Sequence, residues 1–147
     1  MNPTEELRGT LALVHHELTD DPAKRQGQIG LITDIDIEQD NVFVSFEKGH
    51  QALYSTDALL VLRNHRDVYR DLMSNATKMD STDFKALFQL NLLQQSGSQK
   101  DLRSAMEIAQ GNEKIRAYSM SSLQDKLGVV REFAAYQEQS QAVARTR

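Results

Sequence analysis

The chain of 147 residues contains no cysteine, no tryptophan and only two prolines. Without cysteine there are no disulfides, no thiolate metal sites and no cysteine nucleophile. Nowhere do roughly 18 apolar residues run together, so no membrane-spanning helix is expected and no membrane partner with it. The opening MNPTEELRG is acidic and lacks an apolar core, so it does not read as a secretory signal. A cytoplasmic protein is the simplest expectation. Gly-rich phosphate loops, GxGxxG and the glycine elbow of serine hydrolases are all missing; no cofactor is expected. Basic residues are scarce in the first half. Residues 1–63 hold five Lys/Arg against eleven Asp/Glu, a net of −6, whereas residues 64–147 hold twelve against ten, a net of +2. An acidic first half repels phosphate at long range, which counts against nucleic acid as its ligand.

What is present suffices for a folded domain, or for two small units sharing a core. Over TEELRGTLALVHHEL (residues 4–18), Leu7, Leu11, Val14 and Leu18 have helical spacing. Thr4 can cap, and Glu5 and Glu6 suit the positive end of a helix dipole. Gly9 weakens a helix by about 1 kcal/mol, and a strand over Thr10–Val14 is the alternative. Thr19–Gln26 is a turn or loop around Pro22.

The period then changes to two. Ile29, Leu31, Thr33, Ile35 and Ile37 share one strand face, expected to be the core face; Gln28, Gly30, Ile32, Asp34 and Asp36 share the other. EQDN makes a turn into Val42–Lys48, with Val42, Val44 and Phe46 opposite Phe43, Ser45 and Glu47. Lys48-Gly49 turns into a third strand near Gln51–Ser55. ALLVLR follows as a short strand or helical turn. From Asn64 onward helices are expected. One spans His65–Asn75, and a second is capped by Asp80 or Ser81, striped with Phe84, Leu87, Phe88, Asn91 and Leu92, and ended by Gly97. A third is capped by Ser98 and ended by Gly111, with Leu102, Ala105, Met106 and Ala109 as its stripe. A short helix from Asn112 and a last one opened by Ser121 or Ser122 complete the set; the last carries Leu123, Leu127, Val130 and Ala134.

Gly27, Ile29, Gly30 and Ile32, then Val42, Val44 and Phe46, then Gly49 and Tyr54 form a pattern that resembles SH3-like small barrels of the Tudor, KOW and agenet types. The resemblance covers about a quarter of the chain. It implies a small antiparallel barrel and a role in binding peptides, modified side chains or nucleic acid rather than catalysis. The fifth strand of such a barrel would come from Thr10–Val14.

Several groups invite a chemical reading. Asp34–Asn41 (DIDIEQDN) has alternating acids, but Gln39 stands where a calcium loop needs glycine and Ser45 where it needs glutamate. His15 and His16 are adjacent, and on a helix would point about 100° apart, which does not suit a shared metal. The pair Asp34 and Asp36 sits on a solvated strand face, where nothing desolvates a carboxylate. No catalytic or metal residues are assigned. Ile32, Phe43 and Tyr54 are expected to lie together opposite the core, beside Asp34 and Asp36; that acidic aromatic face suits a basic peptide better than nucleic acid. The blander expectation is that the chain's own helices cover it. Arg63, Arg66 and Arg70 form a basic stripe if helical, interleaved with Asp67 and Asp71, so local ion pairs are the default.

The expected fold class is α+β: an N-terminal helix, a small antiparallel SH3-like sheet, then a C-terminal helical half. Residues 1–63 would form the sheet unit, 64–137 a helical unit packed on it, and 138–147 a frayed tail. The expected function is a non-catalytic interaction module or adaptor with a protein or peptide partner, by charge a basic one. The partner-binding residues would be Ile32, Asp34, Asp36, Phe43 and Tyr54. Self-association is compatible with exposed edge strands and spare apolar stripes. The alternatives are a nucleic-acid-binding accessory protein using Arg63, Arg66 and Arg70, and a small hydrolase or metal-dependent enzyme.

Overall fold

A run of four apolar residues, LALV, decides how the sheet is closed. In the computed structural model, which describes residues 7–18 and 24–128, it is strand β1 (Leu11–Val14), buried along its whole length. It pairs antiparallel with β2 (Ile29–Asp36) on one side and β5 (Leu59–Leu62) on the other. A helix over residues 4–18 is therefore corrected at 11–14. Gly9 breaks it, with φ +84. Beyond the break, Gly9 N–H donates to Ile32 O at 2.8 Å and Ile32 N–H donates to Thr10 O at 2.9 Å, which draws the chain into the sheet. A strand between two neighbours buries both its faces, and four consecutive apolar side chains fit that better than a one-sided helix. The capping residues Thr4, Glu5 and Glu6 lie outside the described residues.

The remaining strands are β3 (Asn41–Ser45), β4 (Gln51–Tyr54) and β6 (Met120–Ser122). The six-stranded sheet has the order β4-β3-β2-β1-β5-β6, antiparallel at each pairing. Lys48 and Gly49, with φ 61 and 76, form the hairpin between β3 and β4. A single 3-10 turn over Thr56–Ala58 precedes β5. The chain is thus α+β; after β5 the described residues form α1 (His65–Ser74), α2 (Ser81–Ser96), α3 (Gln99–Gln110) and α4 (Glu113–Ser119), and residues 123–128 are helical too. Asn64, Asp80, Ser98 and Asn112 each cap a helix by accepting from backbone N–H groups in its first turn. Gly97 ends α2 in the left-handed conformation. The expected tail over 138–147, with Val130 and Ala134, lies outside the described residues.

The sheet separates two cores. On one face Ala12, Val14, Ile32, Ile35, Val42, Val44, Phe46, Tyr54, Leu59 and Val61 pack together. Leu7 enters this core before the sheet begins, and Leu123 and Leu127 enter it after β6. On the other face Leu11 and Leu13 meet Val68, Leu72, Leu87, Leu90 and Met106 of the helices. β6 belongs to the second half of the chain, yet it extends the first half's sheet through β5.

A β-bulge overturns the expected faces of β2. Ile32 is paired with Val44, but the next pair is Asp34 with Phe43, which leaves Thr33 as the extra residue. Ile29 and Leu31 face the helices, while Ile32 and Ile35, three apart, turn to the same opposite core. Strict period two would have sent them to different faces.

Candidate functional site

The bulge and the register of β4 also divide the expected aromatic group. Tyr54 is paired with Val42, not with Phe43, and so points into the first core, where it is 5% exposed; Ile32 is 0% exposed beside it. Their expected place on a shared open face with Phe43 is corrected. Tyr54 instead meets Phe46 edge to face, ring centroids 6.3 Å apart. Phe43 stays outside. It is paired with Leu53, and the two are 39% and 52% exposed. They lie on the helix-side face, on the β3–β4 hairpin at the sheet's edge. The helices cover the central strands and stop short of this hairpin.

Leu53 completes the site and was missed in the sequence reading. The signal was available, because the strand alternation that exposes Phe43 also requires an outward partner on β4. Across β2, β3 and β4 the registered row runs Asp34, Phe43, Leu53. From residue 33 through residue 47 the sequence carries Asp34, Asp36, Glu38, Asp40 and Glu47 and no Lys or Arg. Asp34 and Asp36 are exposed there, as expected. Among the described residues the chain itself supplies a cation there: Arg8 Nη2 lies 3.0 Å from Asp34 Oδ1, with both side chains more than half exposed. A pair this open contributes little to stability and exchanges readily. Asp40 has a structural task instead, since its Oδ1 accepts from Thr56 N–H at 2.9 Å and from Thr56 Oγ1–H at 2.8 Å.

The basic stripe is differently placed. Arg63 precedes α1 and is turned inward. Its guanidinium donates to Asp71 Oδ2 at 2.8 Å and to Tyr118 O at 2.7 Å. Arg70 pairs with Asp67 at 3.0 Å. Arg66 makes no ion pair among the described residues and is exposed. Of the three, one cation faces solvent without a local carboxylate.

A cavity of about 650 Å³ opens between the start of β1, the end of β5 and the helices. Leu11, Leu62, Leu102 and Met106 give it an apolar floor. Polar groups at its wall are already used: Gln94 Nε2–H donates to Arg63 O at 2.8 Å, and Asn64 caps α1. Arg63, His65, Asp67, Asp125 and Lys126 also line it; of these, Arg63 is engaged with Asp71 and Asp67 with Arg70. Among the described residues no three His, Asp or Glu side chains form a metal-ligating group. His16 stands beside Arg116 and His15. Its pKa is held below 6.5 by partial desolvation first, then by the positive charges of Arg116 and His15. No helix of the described residues is long and apolar enough to cross a membrane. Compared with protein-family models, curated proteins and solved structures, this chain matches none.

Proposed function

We propose that this chain is a non-catalytic interaction module, and that its β3–β4 hairpin binds a basic peptide segment of a partner protein. The observation that carries the reading is the exposed Phe43–Leu53 pair on an edge hairpin with acids around it. An extended ligand strand alongside β4 gains main-chain hydrogen bonds, while alternate side chains reach the apolar pair. A lysine or arginine two places away reaches across β4 to lie over the Phe43 ring, with the carboxylates of Asp34 and Asp36 beyond it on β2. The Arg8–Asp34 pair supports the same chemistry, because a guanidinium already rests on Asp34. The role is the one that the SH3-like resemblance of residues 27–62 implies. Nucleic acid binding through α1 is the weaker reading, since Arg63 and Arg70 are engaged with aspartates of the same chain.

The test is NMR titration with a panel of short peptides alternating Lys/Arg with apolar residues. Perturbed amide signals clustered at Asp34, Phe43 and Leu53, weakened by salt and lost in Leu53→Lys, are the expected result. Absence of any response at about 1 mM peptide and low salt, the weak limit of a usable interaction, overturns the reading. So does a response confined to the helices.

A further inference from the structure

The hairpin carries more negative charge than its surroundings offset. Residues 33–57, from β2 through the turn after β4, hold Asp34, Asp36, Glu38, Asp40, Glu47 and Asp57 against Lys48, a net of −5. Arg8, paired with Asp34, makes it −4. Glu47 shares a cavity wall with Arg25, Arg103 and Glu107, and counting those three as well leaves −3. Phe43 and Leu53 stand exposed within that charge. β4 is the outermost strand on this side of the sheet among the described residues. An outer edge of this kind can take one more strand.

Three segments of the chain lie outside the described residues, and they differ in charge. Residues 1–6 (MNPTEE) and 19–23 (TDDPA) hold acids and no Lys or Arg. Residues 129–147 hold Arg131, Arg145 and Arg147 against Glu132 and Glu138. Both acids precede residue 139, so residues 139–147 (QSQAVARTR) carry two positive side chains and no negative one. Within them Val143, Arg145 and Arg147 alternate with Ala142, Ala144 and Thr146. An extended strand puts the first three on one side. That is the pattern the hairpin calls for: an apolar side chain for Leu53, and two places on a guanidinium for the Phe43 ring and the carboxylates beyond it.

The segment is long enough to get there. Leu123 and Leu127 belong to the first core with Tyr54 of β4, so the described chain stops on a sheet face that β4 borders. Residues 129–142 separate Gly128 from Val143. Fully extended they cover up to about 46 Å, whereas a fold of this size has a radius of gyration of about 13 Å. We infer that residues 142–147 of the same molecule are a ligand of the hairpin: the segment lies along β4, with Val143 on Leu53 and Arg145 over Phe43. The inference rests on the hairpin being a ligand surface, as proposed above. It makes the chain its own competitor. A tether of this kind supplies an effective concentration of about 1 mM, and a partner's basic peptide has to displace it.

The experiment is paramagnetic relaxation in the full chain, spin-labelled through Ser140→Cys; the chain has no cysteine of its own, so the label has a single site. At low salt the label is expected to broaden the amide signals of Asp34, Phe43 and Leu53 more than those of α1 and α2. The broadening is expected to persist when the isotope-enriched, labelled chain is diluted into an excess of plain chain, and to fade at about 200 mM salt. Arg145→Gln combined with Arg147→Gln is expected to abolish it. The same double variant is expected to bind an added Lys/Arg–apolar peptide about 3-fold more tightly than wild type, as release from a tether at about 1 mM gives for a site with a Kd of about 0.5 mM. Hairpin signals untouched by the label at low salt overturn the inference. So does broadening that disappears on dilution, which makes the contact intermolecular, or that persists in Leu53→Lys, which puts the segment elsewhere. If added peptides shift the hairpin signals with equal affinity in wild type and double variant, the hairpin reading survives and residues 142–147 are not its ligand. If they shift those signals in neither, the hairpin reading fails as well.

Discussion

Replacing Gly30 by alanine puts one methyl group into the closest-packed point of the sheet. A Cβ there would stand 2.4 Å from Val44 Cγ1, 2.9 Å from Phe46 Cε1 and 3.1 Å from Phe46 Cδ1. Carbon atoms in contact prefer about 3.5–4.0 Å. The nearer neighbour has no free space. Val44 is wholly buried and, being β-branched, has few rotamers to move into. Phe46 is held edge-on by Tyr54 and lies 5.2 Å beneath the Arg25 guanidinium. Glycine in a strand ordinarily loses about 0.5–1 kcal/mol relative to alanine, so a neutral site would gain from the change. Overpacking costs about 1–3 kcal/mol, and at a 2.4 Å approach it wins. Gly30→Ala is therefore expected to lower stability by about 1–2 kcal/mol, read as a fall of about 1 M in the urea midpoint. A double-mutant cycle isolates the cause. In a Val44→Ala background the nearest atom is gone, and the Gly30→Ala penalty is expected to fall by at least half. Equal stability of Gly30→Ala and wild type refutes the reasoning, as does a penalty of the same size with and without Val44.

Two further outcomes follow from single contacts. Asp40→Ala removes the acceptor of both Thr56 hydrogen bonds, beside a buried Thr56, and also places a Cβ-bearing residue without an Asx side chain at φ 54; a loss of about 2 kcal/mol in chemical denaturation is expected, with Asp40→Asn retaining part of it. His16 has a folded pKa below its ordinary 6.5, so the unfolded chain binds the extra proton first: its contribution to stability is intact above pH 6.5 and is lost as pH falls through 6.5 toward the folded pKa. Imidazole NMR is expected to show a His16 midpoint below 6.5 that rises in Arg116→Gln; a midpoint above 6.5 contradicts the assignment of causes.

Local chemistry was legible residue by residue. Asn112, Ser98 and Gly97 mark helix ends because capping is a bargain between one side chain and the nearest backbone groups, complete within a few positions. The hairpin at Lys48-Gly49 is equally local. Ion pairing of Arg70 with Asp67 needed only i, i+3 spacing on a helix. The partner of Arg63 was not legible in full. Asp71 is near in sequence, but Tyr118 O is brought to it only by the return of the chain through α4. The exposed flank of α2 is hidden by its composition: Phe84, Phe88 and Leu92 fall on one stripe with Leu87 and Asn91, and nothing in the spacing tells which flank the neighbouring helix leaves open.

By itself the sequence determined the α+β class, the strand alternation between residues 28 and 55 and, from Asn64 onward, the places where helices start and stop, because these depend on side chains and backbone groups a few residues apart. Tertiary structure alone decided that LALV is a central strand, that Ile32 and Tyr54 are buried while Phe43 and Leu53 are not, and that residues 120–122 join the sheet. Those outcomes depend on one bulge, on strand register and on how far the helices reach across the sheet. Each is set by contacts between segments distant in sequence, where a shift of a single residue exchanges the two faces of a strand.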